Sequence, residues 1–174
     1  MLTADGAREL AYRHPWLYHN VWKSDEEARC TIASDGLTYG KSRHNWHPLY
    51  KPRHGHVYLA THDYLNSWWL QSGANDDLYA VDTHILLASR INPDEDHFID
   101  CNRFGLHRPP DINLWKLFKS VIPSYGDWAE QVELGSNPQH VVHSINRGSI
   151  AYAGVVPPSA LLRWDVIAKE WVKV

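Results

Sequence analysis

The sequence predicts a single α+β domain spanning residues 1–174. Three observations carry that expectation. Short apolar runs of strand length alternate with longer, capped runs of helix length, and clusters of Asn, Asp, Gly and Pro separate them. The 174 residues are 44% hydrophobic and 21% charged, enough for one continuous core and far from the composition of a disordered chain.

The elements follow in order. Leu17-Tyr18-His19 is a short strand. Ser24 or Asp25 caps a helix through about Ser34 that Gly36 terminates, with Ala28, Cys30 and Ile32 facing inward. From Thr38 to about Gly55 no periodicity holds, which marks a functional loop. Val57-Tyr58-Leu59-Ala60 is a strand, and Asp63 opens a helix carrying Leu65, Trp68, Trp69 and Leu70. After the Asn75-Asp76-Asp77 turn, a strand begins at Leu78 and continues to Leu87, before Asn92-Pro93-Asp94-Glu95-Asp96 breaks the pattern. Pro109-Pro110 marks a loop, Trp115 to Val121 and Asp127 to Leu134 are helical, and Ser149 to Val156 is a strand before Pro157-Pro158.

Composition narrows the function classes. Cys30 and Cys101 are too few for a disulfide framework and lack CxxC spacing, so reduced cytoplasmic thiols are expected. The N-terminus carries no basic region ahead of an apolar stretch, and no run approaches a membrane span, so the expectation is a soluble intracellular protein with no membrane partner. A formal charge of −3 speaks against a surface coated with nucleic acid. Nine Trp and nine Tyr against three Phe favour rings that fill a core or stack on a ligand while hydrogen-bonding at one edge.

Two segments carry candidate chemistry. A histidine ending a short strand, here His19, can offer a ring nitrogen to a ribose hydroxyl, or it can be a structural core residue. The second segment places Tyr58 on a strand and Tyr64, Trp68 and Trp69 on the following helix. Rings so placed can sandwich a flat pyridinium or pack together as core.

The order of these segments, Leu17-Tyr18-His19, a helix ending at Gly36-Leu37, Val57-Tyr58-Leu59-Ala60 and an aromatic helix, resembles the His-Tyr class of ADP-ribosyltransferases, in particular the small rifamycin ADP-ribosyltransferases. The resemblance implies two small, mainly antiparallel sheets forming a cleft for NAD. It implies that His19 contacts the NAD ribose, that Tyr58 and Trp68, or Trp69, flank the nicotinamide, and that a carboxylate supports catalysis. Asn20 stands where the family carries glycine beside the carboxamide. For the acid, the small enzymes point to the acidic run, with Asp96 first and Glu95 beside it, while Asp94, Glu95 and Asp96 equally fit a solvated loop cluster. The larger His-Tyr-Glu group has a glutamate on the late strand, where this chain has Ser149; Glu130 and Glu133 are the remaining candidates.

Gly148 to Pro158 and His54-Gly55-His56-Val57-Tyr58 are similar to segments of the NAD-using RNA 2′-phosphotransferases, which would make Arg147 a phosphate ligand. Lys41, Arg43, Lys51 and Arg53, with His44, His47, His54 and His56, form a positive island, and no acidic residue occurs from Gly36 to His62. It suits the NAD pyrophosphate, a nucleic-acid strand, or solvent alone. No histidines pair at metal-ligand spacing, and no metal is expected. The resemblance thus implies transfer of ADP-ribose from NAD to an acceptor of unread class. An NAD glycohydrolase, an RNA 2′-phosphotransferase and a non-catalytic NAD or ADP-ribose-binding module are the alternatives.

Overall fold

Alternating apolar residues along short segments are the primary force shaping this chain, because each such segment gains stability by laying one face on a common core. The computed structural model describes residues 3–21, 26–39, 53–61, 77–94 and 134–174. Helix α1 (Ala4–Arg8) is capped by the Thr3 hydroxyl and runs into a 3-10 turn. Strand β1 (Trp16–Val21), helix α2 (Glu26–Asp35), strands β2 (His56–Ala60), β3 (Asp77–Asp82) and β4 (Ile91–Pro93) follow. Helix α3 (Pro138–Arg147) and strands β5 (Ser149–Ala153), β6 (Leu161–Asp165) and β7 (Glu170–Lys173) complete the described chain.

The seven strands lie in one sheet in the order β4-β5-β2-β1-β3-β6-β7, and every neighbouring pair is antiparallel. The pairing is uneven. β1 and β3 share six register pairs, from Trp16 opposite Asp82 to Val21 opposite Asp77. β2 and β5 share five, from His56 opposite Ala153 to Ala60 opposite Ser149. β1 and β2, in the middle of the sheet, share the single pair Tyr18 and Ala60. The expected two small sheets are thus one sheet, whose two ladders, β4-β5-β2 and β1-β3-β6-β7, are joined by the Tyr18–Ala60 pair.

Leu17, Val57, Leu59, Tyr79, Val81, Ile150, Tyr152 and Leu161 bury one face of the strands against Ala7 and Ala11 near the N-terminus, Ile32 and Leu37, and Val141 and Ile145 of α3. Each fully buried aliphatic side chain contributes roughly 1.5–3 kcal/mol, so this cluster is the main source of stability. Helix α3 is punctuated at both ends: the Asn137 side chain accepts from Gln139 N–H at 3.0 Å, Pro138 opens the first turn, and Gly148 closes the helix at φ 93°.

Several expectations are corrected. The strand from Leu78 ends at Asp82 rather than reaching Leu87, because the Asp82 carboxylate accepts from His84 N–H at 3.0 Å and starts a 3-10 turn over Thr83–Ile85. Asn92 and Pro93 do not interrupt the sheet but belong to its edge strand β4, a position that tolerates the missing proline N–H. Arg8 holds that strand from outside, its Nε donating to the Ile91 carbonyl at 2.8 Å and its Nη2 to the Gly135 carbonyl at 2.9 Å. Cys30 is exposed. It lies two residues from the buried Ile32, and two residues of α-helix turn about 200°. The late strand stops at Ala153, because Gly154 turns at φ 99° and Val156 instead bridges Leu37. Trp164 to Val174 contains most of a β6–β7 hairpin whose turn is held by the Asp165 carboxylate, accepting from Ile167 and Ala168 N–H at 2.9 Å each. Leu134 lies in a 3-10 turn over Leu134–Ser136; the expected helices from Asp63 and over 115–121, and the loop at Pro109-Pro110, fall outside the described residues.

Gly36 ends α2 at φ 84°, and a Cβ there would stand 2.0 Å from the Val156 carbonyl oxygen, against the Leu37 bridge. Gly55 also has a positive φ, 74°, but a Cβ there would meet nothing within 4 Å. Urea unfolding should therefore show Gly36→Ala losing about 3 kcal/mol or more and Gly55→Ala about 1 kcal/mol. Equal losses would mean that the close approach at Gly36 is not what matters.

Candidate functional site

Beyond the Tyr18–Ala60 pair the two ladders are no longer held by backbone bonds, and side chains take over there. The Nδ1 of His19 lies 2.8 Å from the carbonyl oxygen of Tyr58. A carbonyl only accepts, so Nδ1 carries the proton and Nε2 keeps its lone pair. Burial lowers the His19 pKa below its ordinary 6.5, with the bond to the Tyr58 carbonyl opposing that shift more weakly. The ring is thus neutral at pH 7, with a hydrogen-bond acceptor left on Nε2.

Tyr58 is fixed from its other end. Its phenolic oxygen accepts the backbone N–H of Arg53 at 2.9 Å. Arg53 itself is 5% exposed, and its Nη2 donates to the Pro93 carbonyl. The next residue, Asp94, is 7% exposed and donates its backbone N–H to the Ser144 hydroxyl oxygen at 2.9 Å. That hydroxyl in turn donates to the Ser149 carbonyl. A continuous polar chain therefore runs from Tyr58 through Arg53, the Pro93-Asp94 segment and Ser144 to Ser149.

Of the six buried polar or charged residues among those described, four lie in this chain: Arg53, Asp94, Ser144 and Ser149. The other two have structural duties. Asp77 receives a bidentate contact from Arg29 at 2.6 and 3.1 Å, which ties α2 to the start of β3. Thr83 donates to the carbonyls of His14 and Pro15 and pins the chain entering β1. Buried polar groups are costly unless satisfied. Four of them gathered beside Tyr58 mark a built site.

Strand parity orders the side chains. Directly paired residues of an antiparallel ladder share a face, so Tyr18, Ala60, Tyr58, Ala151 and Ser149 lie on one side of the sheet, opposite the core side chains of Leu59 and Ile150. Asn20 follows Tyr18 on that face of β1, and its carboxamide oxygen is buried.

The structure links Tyr58, Arg53 and the buried Ser149 and places Asn20 on the Tyr58 face, whereas His19, paired with Tyr79, lies on the core face and meets Tyr58 only at its backbone carbonyl. Arg53, expected to meet a phosphate in an open basic loop, is buried with its guanidinium on a backbone carbonyl. Arg147 is half-buried in the last turn of α3, immediately before Gly148 and Ser149. Tyr64, Trp68, Trp69, Glu95, Asp96, Lys41, Arg43, Lys51, Glu130 and Glu133 lie outside the described residues. Sequence reasoning missed Ser144, whose only local signal is its place inside the capped run from Asn137 to Gly148.

Among the described residues no three His, Cys, Asp or Glu side chains are grouped to hold a metal ion. Nor is any helix there long and apolar enough to cross a membrane. No family model, curated protein or solved structure matches the chain.

The half-buried neutral imidazole makes folding pH-dependent. The unfolded chain protonates His19 near its ordinary 6.5, while the folded chain resists protonation until lower pH. Its contribution is complete above that value and declines as pH falls below it. In His19→Asn the amide N–H can replace Nδ1–H on the Tyr58 carbonyl without titrating. Chemical denaturation from about pH 7.5 to about pH 5 should show the variant losing less stability than the wild type. Parallel losses would remove His19 as a source of the dependence.

Proposed function

We propose that the protein is an NAD-dependent ADP-ribosyltransferase, which cleaves the nicotinamide–ribose bond and passes ADP-ribose to an acceptor. The observation behind this reading is the bond from the His19 imidazole to the backbone carbonyl of Tyr58, across the one-pair junction of two antiparallel ladders. The sequence resemblance names these two residues for the donor site. Their side chains leave opposite faces of the sheet, so a ligand would meet both only at the junction itself, where the strands share one register pair.

The chemistry follows from the groups present. Neutral His19 offers Nε2 as an acceptor for a ribose hydroxyl. With its phenolic oxygen held by Arg53 N–H, Tyr58 presents a ring fixed in advance, against which a nicotinamide can stack without loss of rotamer freedom. Trp68 or Trp69 would supply the opposite wall, and Asn20 would take the carboxamide. Departure of nicotinamide leaves positive charge on the ribose, which a carboxylate of the run 94–96 offsets. Water as acceptor would make the same site an NAD glycohydrolase. Lys41, Arg43 and Lys51 are the cations that a nucleic-acid acceptor would use, and the reduced-cysteine composition suits a cytoplasmic setting.

A second reading has one observation in its favour. Ser149, not a glutamate, stands on β5 opposite Ala60, so the domain could bind NAD or ADP-ribose without turnover. Two measurements separate the readings: nicotinamide release from NAD, and NAD binding by calorimetry. The transferase should release nicotinamide, and Tyr58→Ala should lower kcat/KM by about 100-fold through loss of the positioned ring. NAD binding with no release, in the presence of protein, DNA, RNA and metabolite pools, would leave only the binding module.

A further inference from the structure

The row of side chains that contains His19 crosses three strands on the core face of the sheet. His19 pairs with Tyr79, and Tyr79 pairs with Arg163. Paired residues share a face, so all three leave the sheet on the same side. The row before it, Leu17, Val81 and Leu161, is sealed, at 2, 0 and 3% exposure. In the His19 row only Tyr79 is covered, at 1%, while His19 and Arg163 on either side of it are half-buried. The apolar core therefore ends at this row. In the row beyond, Val21 pairs with Asp77, which holds Arg29 of α2 over the same face.

The polar groups of the row are open. Among the described residues the Tyr79 hydroxyl makes no hydrogen bond, and the Arg163 guanidinium makes neither a hydrogen bond nor an ion pair. His19 keeps the lone pair of Nε2 after its Nδ1 has met the Tyr58 carbonyl. The acids around Arg163 are engaged elsewhere or exposed. Asp77 is taken up by Arg29, the Asp165 carboxylate accepts from Ile167 and Ala168 N–H, and Glu170, opposite Asp165, is exposed. Burial holds the Tyr79 phenol above its ordinary 10.0; Asp77 adds to the rise, and Arg163 and Arg29 oppose it. The hydroxyl is thus a protonated donor at neutral pH. A covered phenol ordinarily finds a partner, and one without a partner beside an open guanidinium points to a ligand.

We infer that Arg163 and Tyr79 form the phosphate end of a sugar-phosphate site, with His19 Nε2 accepting from a hydroxyl of the sugar. The guanidinium fork matches two oxygens of a phosphate, and the phenol adds a third donor. A neutral imidazole acceptor has nothing to take from an ionised phosphodiester, but it suits a sugar hydroxyl. Neighbouring strands lie about 4.8 Å apart, so the backbones of His19 and Arg163 stand about 10 Å apart with Tyr79 as the floor between them. A ribose and its phosphate, with a hydrogen bond at each end, bridge that gap. The inference goes beyond the transferase reading, because it holds for any sugar phosphate; for NAD it sets the diphosphate on the His19 face of the sheet.

The test is calorimetric titration of the full chain with ribose 5-phosphate, ADP-ribose, inorganic phosphate and ribose, with folding checked by circular dichroism. Ribose 5-phosphate or ADP-ribose should bind, and the tighter of the two tells whether a free sugar phosphate or a nucleotide is the source. Arg163→Gln should weaken that binding at least about tenfold and Tyr79→Phe about threefold or more, while Lys173→Gln, on the opposite face, should stay within about twofold. Because the phenol has no partner among the described residues, Tyr79→Phe should keep the wild-type urea midpoint. A lowered midpoint with unchanged affinity would make the hydroxyl structural and overturn its role. The inference also falls if neither sugar phosphate binds, if inorganic phosphate or ribose binds as tightly as both, or if Arg163→Gln binds within about twofold of the wild type. Should Arg163→Gln not fold, Arg163→Lys decides: it keeps the charge without the fork and should lose about threefold or more, and wild-type affinity would sink the assignment. Nicotinamide release judges the transferase reading separately. Release with an unchanged KM for NAD in Arg163→Gln leaves that reading and ends this inference, whereas Arg163-dependent binding without release does the reverse.

Discussion

The Tyr18–Ala60 pair is the point on which this fold turns. Elsewhere the strands are held by ladders of up to six pairs, and each backbone hydrogen bond contributes a net of about 1 kcal/mol. At the centre of the sheet that support shrinks to one pair, so cohesion between the two ladders depends on the core beneath, where Leu17, Val57, Leu59 and Tyr79 pack together. His19 adds a side-chain bond across the junction. Under the proposed function the same imidazole would also meet a ribose, so the structural and chemical demands on His19 would coincide in the neutral, Nδ1-protonated ring.

Arg53 plays the corresponding part on the other side of Tyr58. A buried arginine is stabilising only where its donors are met, and here the guanidinium reaches the carbonyl of the proline that closes β4. Because the backbone N–H of the same residue holds the Tyr58 phenol, the orientation of that ring and the path of the chain into Asp94 are coupled. Small residues make room on this face: Ala60, Ala151 and Ser149 lie around Tyr58 where bulkier side chains would fill the space.

Much of the local structure was legible because local rules and tertiary packing agree. Short apolar runs mark β1, β2 and the start of β3, and Gly36 ends α2 as its sequence position indicates. Pro93 shows the opposite case, since its breaker signal is local while its acceptance in β4 depends on being at the sheet edge, which only the complete strand order reveals. Helix α3 had both caps in plain view, Asn137-Pro138 and Gly148, but His140, His143, Asn146 and Arg147 dilute its apolar stripe of Val141 and Ile145. The contact of Asp94 with Ser144 joins residues 50 apart in the chain. It exists only once β4 pairs with β5 and α3 packs beneath them, so no spacing rule could have shown it. Segment order singled out His19 and Tyr58, whereas the bond between the His19 ring and the Tyr58 carbonyl follows from how β1 lies against β2.

The two ends of the basic stretch also meet. Leu37 bridges Val156, Gly55 accepts from Gly154 N–H at 2.7 Å, and the rings of Tyr39 and His54 lie 4.7 Å apart. The chain thus departs from and returns to neighbouring points of one short segment after β5. Closure of that excursion is enforced by the core, and the entropy of a closed loop grows only by about 0.6 kcal/mol for each doubling of its length. A change in the length or charge of the intervening sequence therefore costs the pairing at its two ends, and the core beneath them, little.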